Sequence, residues 1–265
     1  MALVRSSAYL KSPGYRLEYL KDENKNEYCY IRLKSFSHRN SVALAETLQK
    51  ALTSPHHVKA LILDLRNNYG GVIQEALAVI IERTFYTLYL PSFYALSAKD
   101  ASMFLTDPKA VLCYTVSPRG TSEQTAGVWI DDRITAATSA EAVAAAALPV
   151  VILQNEGTAS AAEVFIAALR DNHRAQAVIG TRSYGKSLIQ HFFPLPNGGA
   201  VKLTVAEYLT PKKQHIVRNV LAAGEEGGLA PDSFCSDQVA ADPRQDLCVL
   251  MGLNALSSTT SSIYK

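Results

Sequence analysis

"VKALILDLRNNYGG", residues 58–71, is the stretch on which the fold turns. From Val58 it runs through Ala60, Leu61, Ile62 and Leu63 to Asp64 almost unbroken, whereas an extended chain with one wet face would alternate. Such a run indicates a strand buried on both faces, as in parallel sheets covered by helices on each side. It ends in the polar loop Arg66, Asn67, Asn68, Tyr69 and the pair Gly70–Gly71. The following "VIQEALAVIIERTF" (72–85) has the spacing of a helix.

Working outward, "YCYIRLKSF" from Tyr28 alternates Tyr28, Tyr30 and Arg32 against Cys29, Ile31 and Leu33, the pattern of a half-buried strand. "SVALAETLQKALTS" (41–54) carries Val42, Ala45, Leu48 and Leu52 at helical spacing. Downstream, Ala110 to Val116 reads as a strand, and Tyr86 to Lys109 fits no element. After Pro149 come a strand "VVILQN", a helix after Ser160, a strand "AQAVIG", and two strands joined by a turn at Asn197, Gly198 and Gly199. A short closing helix and a frayed Ser/Thr-rich end complete the chain. This is an α/β pattern with a sheet that is parallel at least in part.

The 265 residues, 48% hydrophobic and 19% charged, suffice for a substantial core. A net charge of +2 with scattered Lys and Arg excludes a nucleic-acid surface. No stretch approaches the roughly 20 apolar residues of a membrane span, which leaves a peripheral seat on a membrane open. The first twenty residues lack the apolar core of a secretory signal, so either the chain is cytosolic or its targeting segment lies outside this sequence. Cys29, Cys113, Cys235 and Cys248 form no C-x-x-C pair. They read as buried thiols, with a Cys235–Cys248 bridge as the alternative in an oxidising compartment.

"NEGTASAAEVFIAALRDN" (155–172) places the Ser160 hydroxyl at a helix mouth. Alone, Ser160 with Glu163 is a capping box. A nucleophilic serine would need a base. His38, His56 and His57 read as solvated loop residues and His215 as a surface residue. His173 caps the far end of the same helix, roughly 15 Å away. The strand from Gly185 offers two exclusive choices, because side chains alternate: Lys186, Leu188 and Gln190 share one face, Ser187, Ile189 and His191 the other. A lysine base must be neutral to accept a proton, so it demands an apolar enclosure without carboxylates nearby. Gly185 would let backbone pass close. The Gly70–Gly71 loop can present N–H groups to an oxyanion. It is neither a Walker sequence nor a dinucleotide fingerprint, and Ser160 does not stand in G-x-S-x-G.

Four ordered blocks, "LILDLRNNYGG", "VVILQNEGTASAAEVFIAALRDN", "VIGTRSYGKSLIQ" and "GGAVKLTVAEYLTP", resemble the catalytic domain of the C-terminal processing peptidases, also called tail-specific proteases. The match runs from about Tyr28 to Asp246, where "GLAPD" and "DPRQDL" resemble the family's closing segment. The resemblance implies a ββα spiral core of the crotonase and Clp protease type, with a mixed sheet and flanking helices. It implies a serine endopeptidase acting near the free C-terminus of a protein or peptide, without cofactor or metal. Ser160 would be the nucleophile, Lys186 the base, and Gln190 its positioning partner. The oxyanion hole would use the Ala161 N–H with that of Gly70 or Gly71.

The family's PDZ domain is missing ahead of the match, so residues 1–27 read as an extension, 28–250 as the catalytic domain and 251–265 as a tail. Residues 86–109 look inserted, and Tyr69 stands where the family commonly has proline or glycine. Similarity to the plant and algal branch suggests a thylakoid-lumen enzyme maturing the photosystem II D1 precursor; a bacterial periplasmic relative fits equally. The rival from another class is a non-catalytic peptide-binding module of the same fold, and a crotonase-like acyl transfer with CoA would leave Ser160, Lys186 and Gln190 without roles. Oligomeric state is open.

Overall fold

The computed structural model describes residues 14–22, 25–37, 40, 43–44, 58–71, 110–120, 122–126, 148–217, 227–236 and 238–263. Most of the helix expected over 41–54, all of that over 72–85, and the segment 86–109 lie outside them. In chain order the elements are β1 (Tyr15–Lys21), β2 (Glu27–Leu33), β3 (Val58–Asp64), β4 (Val111–Val116), β5 (Ser122–Ala126), β6 (Val150–Gln154), α1 (Ala161–Asp171), β7 (Ala175–Gly180), β8 (Leu188–Pro194), β9 (Ala200–Leu209), β10 (Ser233–Phe234) and α2 (Leu247–Ile263).

Two sheets result. The larger has the order β1-β2-β3-β6-β7-β10, and the smaller β5-β4-β9-β8. In the larger sheet only β1 is antiparallel to its neighbour; β2, β3, β6, β7 and β10 run parallel. The smaller sheet is antiparallel throughout. This is the mixed α/β architecture with flanking helices that the strand pattern implies.

The apolar run of β3 is divided between two cores. Leu61 and Leu63 face the layer of α1, with Ile31, Ile152, Val178 and Phe165. Ala60 and Ile62 face that of α2, with Val151, Leu153, Val249 and Leu253. Burial on both faces removes the reason to alternate. β2 departs from the half-buried reading, because Tyr28 and Tyr30 are 2% and 1% exposed. Their hydroxyls donate to Asp22 at 2.9 Å and Asp64 at 2.7 Å, so each ring is buried with its polar end satisfied.

Three further differences concern the ends of the chain. β1, within the stretch read as an extension, pairs with β2 along its whole length and is part of the sheet. α2 continues through the Ser/Thr run to Ile263 instead of fraying, since propagation from packed first turns adds one backbone bond per residue. Cys235 and Cys248 are disulfide-bonded, with Cα atoms 5.8 Å apart, while Cys29 and Cys113 are free and buried. The bridge ties the end of β10 to the first turn of α2.

Candidate active site

Three loops leave the carboxyl ends of β3, β6 and β7, the usual site-forming edge of a parallel sheet. They are knitted together by side chains. Asn155 Oδ1 accepts from the Asn67 N–H at 2.8 Å, and its Nδ2 donates to Asn67 Oδ1 at 3.1 Å. Thr158 Oγ1 donates to the Leu65 carbonyl at 2.9 Å. The Ala159 N–H donates to the Asn68 carbonyl at 2.9 Å, and the Tyr184 N–H to that of Thr158 at 2.9 Å.

Ser160 stands at the crossing of these loops, partly exposed, just before α1. Its backbone has φ 58° and ψ −123°, outside the extended region that N-cap residues normally take. A serine in that conformation carries about 1–3 kcal/mol of strain. Capping does not require it. The Glu163 N–H donates to the Ser160 carbonyl at 2.8 Å, so the bond usually assigned to a capping hydroxyl is met by backbone. The Ala161 N–H, at the positive end of α1, has no hydrogen-bond partner among the described residues.

Glu163 does more than close the helix. Fully buried, its carboxylate accepts from four donors. Oε2 takes the N–H groups of Ser160 and Lys186, each at 2.8 Å. Oε1 takes the Ser183 hydroxyl at 2.5 Å and the Gly185 N–H at 2.6 Å. One carboxylate therefore holds the backbone of the candidate nucleophile against that of the candidate base. Sequence reasoning assigned Glu163 only a capping role. Its second set of partners lies 20 to 23 residues on, beyond what a local motif can signal.

Gly185 makes the close approach its type suggested: with φ +87°, an added Cβ would lie 2.8 Å from the Gly228 nitrogen. From Ser183 to Gln190 the chain alternates, with Ser183, Gly185 and Ser187 buried and Lys186, Leu188 and Gln190 exposed. Lys186 and Gln190 thus share a face, but it is the solvated one. The dry enclosure free of carboxylates expected around Lys186 is not formed by the described residues. Its side chain is exposed and in no ion pair among them, and Glu163 holds its backbone. Gln190 Nε2 donates to Thr204 Oγ1 at 3.3 Å, because Gln190 is registered opposite Thr204 on β9. His191, the alternative base, is exposed opposite Leu203.

Gly70 packs directly on the serine and Gly71 on Phe36. A Cβ on Gly70 would sit 2.8 Å from Ser160 Cβ and 3.0 Å from the Ala161 nitrogen, and one on Gly71 would sit 2.0 Å from the Phe36 carbonyl oxygen. Both have positive φ. The Gly70 N–H donates to Asn68 Oδ1 at 2.9 Å. The Gly71 N–H has no partner among the described residues.

Behind the loop lies a buried ion cluster. Arg66, 1% exposed, donates Nε and Nη2 to Asp64 at 2.9 and 2.7 Å. It donates Nη1 and Nη2 to Asp246 at 3.0 and 2.8 Å. Burial opposes ionisation of Asp246, but its bonds from Arg66 and from the Ala240 and Val249 N–H groups outweigh it and hold the carboxyl below its ordinary value. Asp246 also receives the Cys248 N–H at 3.1 Å, so the guanidinium that ends β3 is anchored to the first turn of α2. Asp246, 180 residues from Arg66, had no local signature in the sequence.

The model of Peptidase family S41 matches residues 27–233. The chain belongs to peptidase family S41. This S41 chain is 31% identical to a carboxyl-terminal-processing protease of Synechocystis over 236 residues, 88% of this chain and 46% of that protein. It is 30% identical to the chloroplastic carboxyl-terminal-processing peptidase 2 of Arabidopsis thaliana, across 82% of this chain and 34% of that one. The chain thus spans less than half the length of these relatives. Among solved structures, a photosystem II D1 C-terminal processing protease superposes with TM-score 0.62 and 25% identity, covering 92% of this chain and 53% of that one. A lipoprotein of Streptococcus agalactiae, TM-score 0.58 and 20% identical over 92% of this chain and 70% of that one, shares the fold.

Proposed function

We propose that the chain is the catalytic unit of a serine endopeptidase that cuts near the C-terminus of protein substrates. The observation that carries this reading is the Ser160 backbone, strained at φ 58° with an unengaged Ala161 N–H beside it. Strain that capping does not need is best explained by presentation of a nucleophile. The hydroxyl of Ser160 attacks the peptide carbonyl, and the N–H groups of Ala161 and Gly71 receive the oxyanion. Gly70 shapes the shelf. Lys186, anchored at its backbone by Glu163, turns its four-carbon stem inward to take the serine proton, with Gln190 positioning the amine. A bound substrate covers that amine and excludes water from it. The tetrahedral intermediate collapses with cleavage of the peptide C–N bond, Lys186 passes its proton to the departing amine, and water then hydrolyses the acyl-enzyme to a carboxylate and free Ser160.

The relatives' names, which speak of carboxyl-terminal processing, support a protein cut near its C-terminus as the substrate class, and make the D1 protein of photosystem II the first substrate to try. The Cys235–Cys248 bridge supports a compartment that permits disulfides, as the thylakoid lumen or a periplasm does. The second reading, a non-catalytic peptide-binding module, draws on the exposed Lys186 and on Gln190 being bonded to Thr204.

One experiment separates the two: hydrolysis of an unstructured peptide with an apolar free C-terminus by the chain and by Ser160→Ala, Lys186→Ala and His191→Ala. The peptidase reading expects cleavage lost in the first two and kept in the third. Cleavage surviving Lys186→Ala and lost in His191→Ala replaces the base. No cleavage by the unaltered chain, with equal peptide binding by Ser160→Ala, establishes the binding module.

A further inference from the structure

The hairpin of β8 and β9 extends past the sheet that roots it. β9 pairs with β4 only at Glu207, Tyr208 and Leu209, and from Gln190 to Thr204 the two strands pair with each other alone among the described residues. This arm is apolar yet exposed. Of the eleven exposed large apolar side chains among the described residues, six belong to it and its root: Leu188, Phe192, Phe193, Leu195, Val201 and Leu203, with Phe192 at 69% and Leu203 at 50%. A concentration of that kind on a soluble surface marks a contact with something apolar.

The register shows which kind. Phe193 opposes Val201 and His191 opposes Leu203 on one face, while Phe192 opposes Lys202 on the other. Apolar side chains therefore stand on both faces of the ribbon, whereas docking on a folded partner asks for one. The tip closes its own backbone bonds: Leu195 N–H to the Gly199 carbonyl at 2.8 Å, Gly198 N–H to that of Leu195 at 3.0 Å, and Gly199 N–H to Asn197 Oδ1 at 3.1 Å. Charge gives the last indication. From Gln190 to Thr204 the arm carries Lys202 and no Asp or Glu, and the acid of the ribbon, Glu207, stands at the root opposite Leu188. Lys202 Nζ lies 5.6 Å from the Phe192 ring centre, a cation set beside an apolar wedge.

We propose that the β8–β9 arm is an interfacial anchor that seats Phe192, Phe193, Leu195 and Leu203 in the surface of an anionic lipid bilayer, with Lys202 at the headgroups. An apolar body that carries Lys202 and no acid beyond its root matches the headgroup boundary of such a membrane. The anchor goes beyond the peptidase reading and does not depend on it.

The test is co-sedimentation of the full chain with vesicles of equal parts phosphatidylglycerol and phosphatidylcholine, and with phosphatidylcholine alone. Binding is expected to the anionic vesicles and to weaken with salt. Phe192→Ser with Phe193→Ser should lower the partition coefficient by roughly tenfold or more. Lys202→Gln should lower it about fivefold on anionic vesicles only. An unchanged unfolding midpoint establishes that the variants are folded. Absence of binding to the anionic vesicles, or equal binding by the double-serine variant, overturns the proposal. A dimer in light scattering that the double-serine variant abolishes, without vesicle binding, assigns the arm to a contact between copies instead.

Discussion

Glu163→Gln puts the sharpest strain on the account of the site. Both carboxylate oxygens face donors only: Ser160 N–H and Lys186 N–H at one, Ser183 Oγ–H and Gly185 N–H at the other. An amide replaces one acceptor oxygen with an NH2 group. Placed toward Ser160 and Lys186, it strands two backbone donors. Placed toward Ser183 and Gly185, it strands only the Gly185 N–H, since the serine hydroxyl can turn. The side chain adopts the second arrangement. One orphaned buried N–H costs about 1–3 kcal/mol, and the surviving bonds lose the extra strength that a charged acceptor gives. A total of roughly 2–4 kcal/mol follows. Urea unfolding followed by circular dichroism should show this loss at an unchanged slope, and amide exchange should quicken at Gly185 in particular. Peptide cleavage, measured where the variant is folded, should fall because the Lys186 segment is no longer held to the serine. A stability within about 0.5 kcal/mol of the unaltered chain, with Gly185 exchange unchanged, would refute the claim that this carboxylate clamps the two segments.

Other perturbations test neighbouring steps. Gly70→Ala forces a side chain into a conformation with φ +91° and against the Ser160 Cβ, so unfolding should show a loss of about 3 kcal/mol or more, together with loss of cleavage. Asp246→Asn breaks the paired contact with buried Arg66 and should cost about 3 kcal/mol in urea. The acid behaviour has a defined sign: Asp246 is held below its ordinary value, so its contribution is complete above about pH 4 and is lost as pH falls through the folded value. Asp246→Asn should therefore flatten the acid limb of the stability curve. Cys235→Ser with Cys248→Ser opens a cross-link spanning 13 residues and should lower stability by about 3 kcal/mol, read as a reduced unfolding midpoint.

Much of the architecture was legible. The unbroken run of β3, the hairpin turn at Asn197 to Gly199 and the helix after Ser160 are local patterns, and local patterns survive folding when the environment is uniform along the element. β2 misled because tyrosine reads as polar in a period-two count, and only Asp22 and Asp64 reveal that both hydroxyls are satisfied inside. Lys186 and Gln190 were placed on a common face by alternation. Which face is covered depends on what packs there, and that is not a property of the strand.

By itself the sequence determined the order of elements and membership of a family whose motifs are contiguous stretches of chain. The tertiary structure alone decided that Glu163 binds two loops, that Arg66 is locked to Asp246, that Cys235 meets Cys248, and that the Gly71 N–H is left open where that of Gly70 is used. The reason is one of range. Periodicity and turn chemistry act between residues a few positions apart, whereas a buried carboxylate or guanidinium must find its partners wherever the sheet brings them, and strand order sets that distance with no mark in the neighbouring residues.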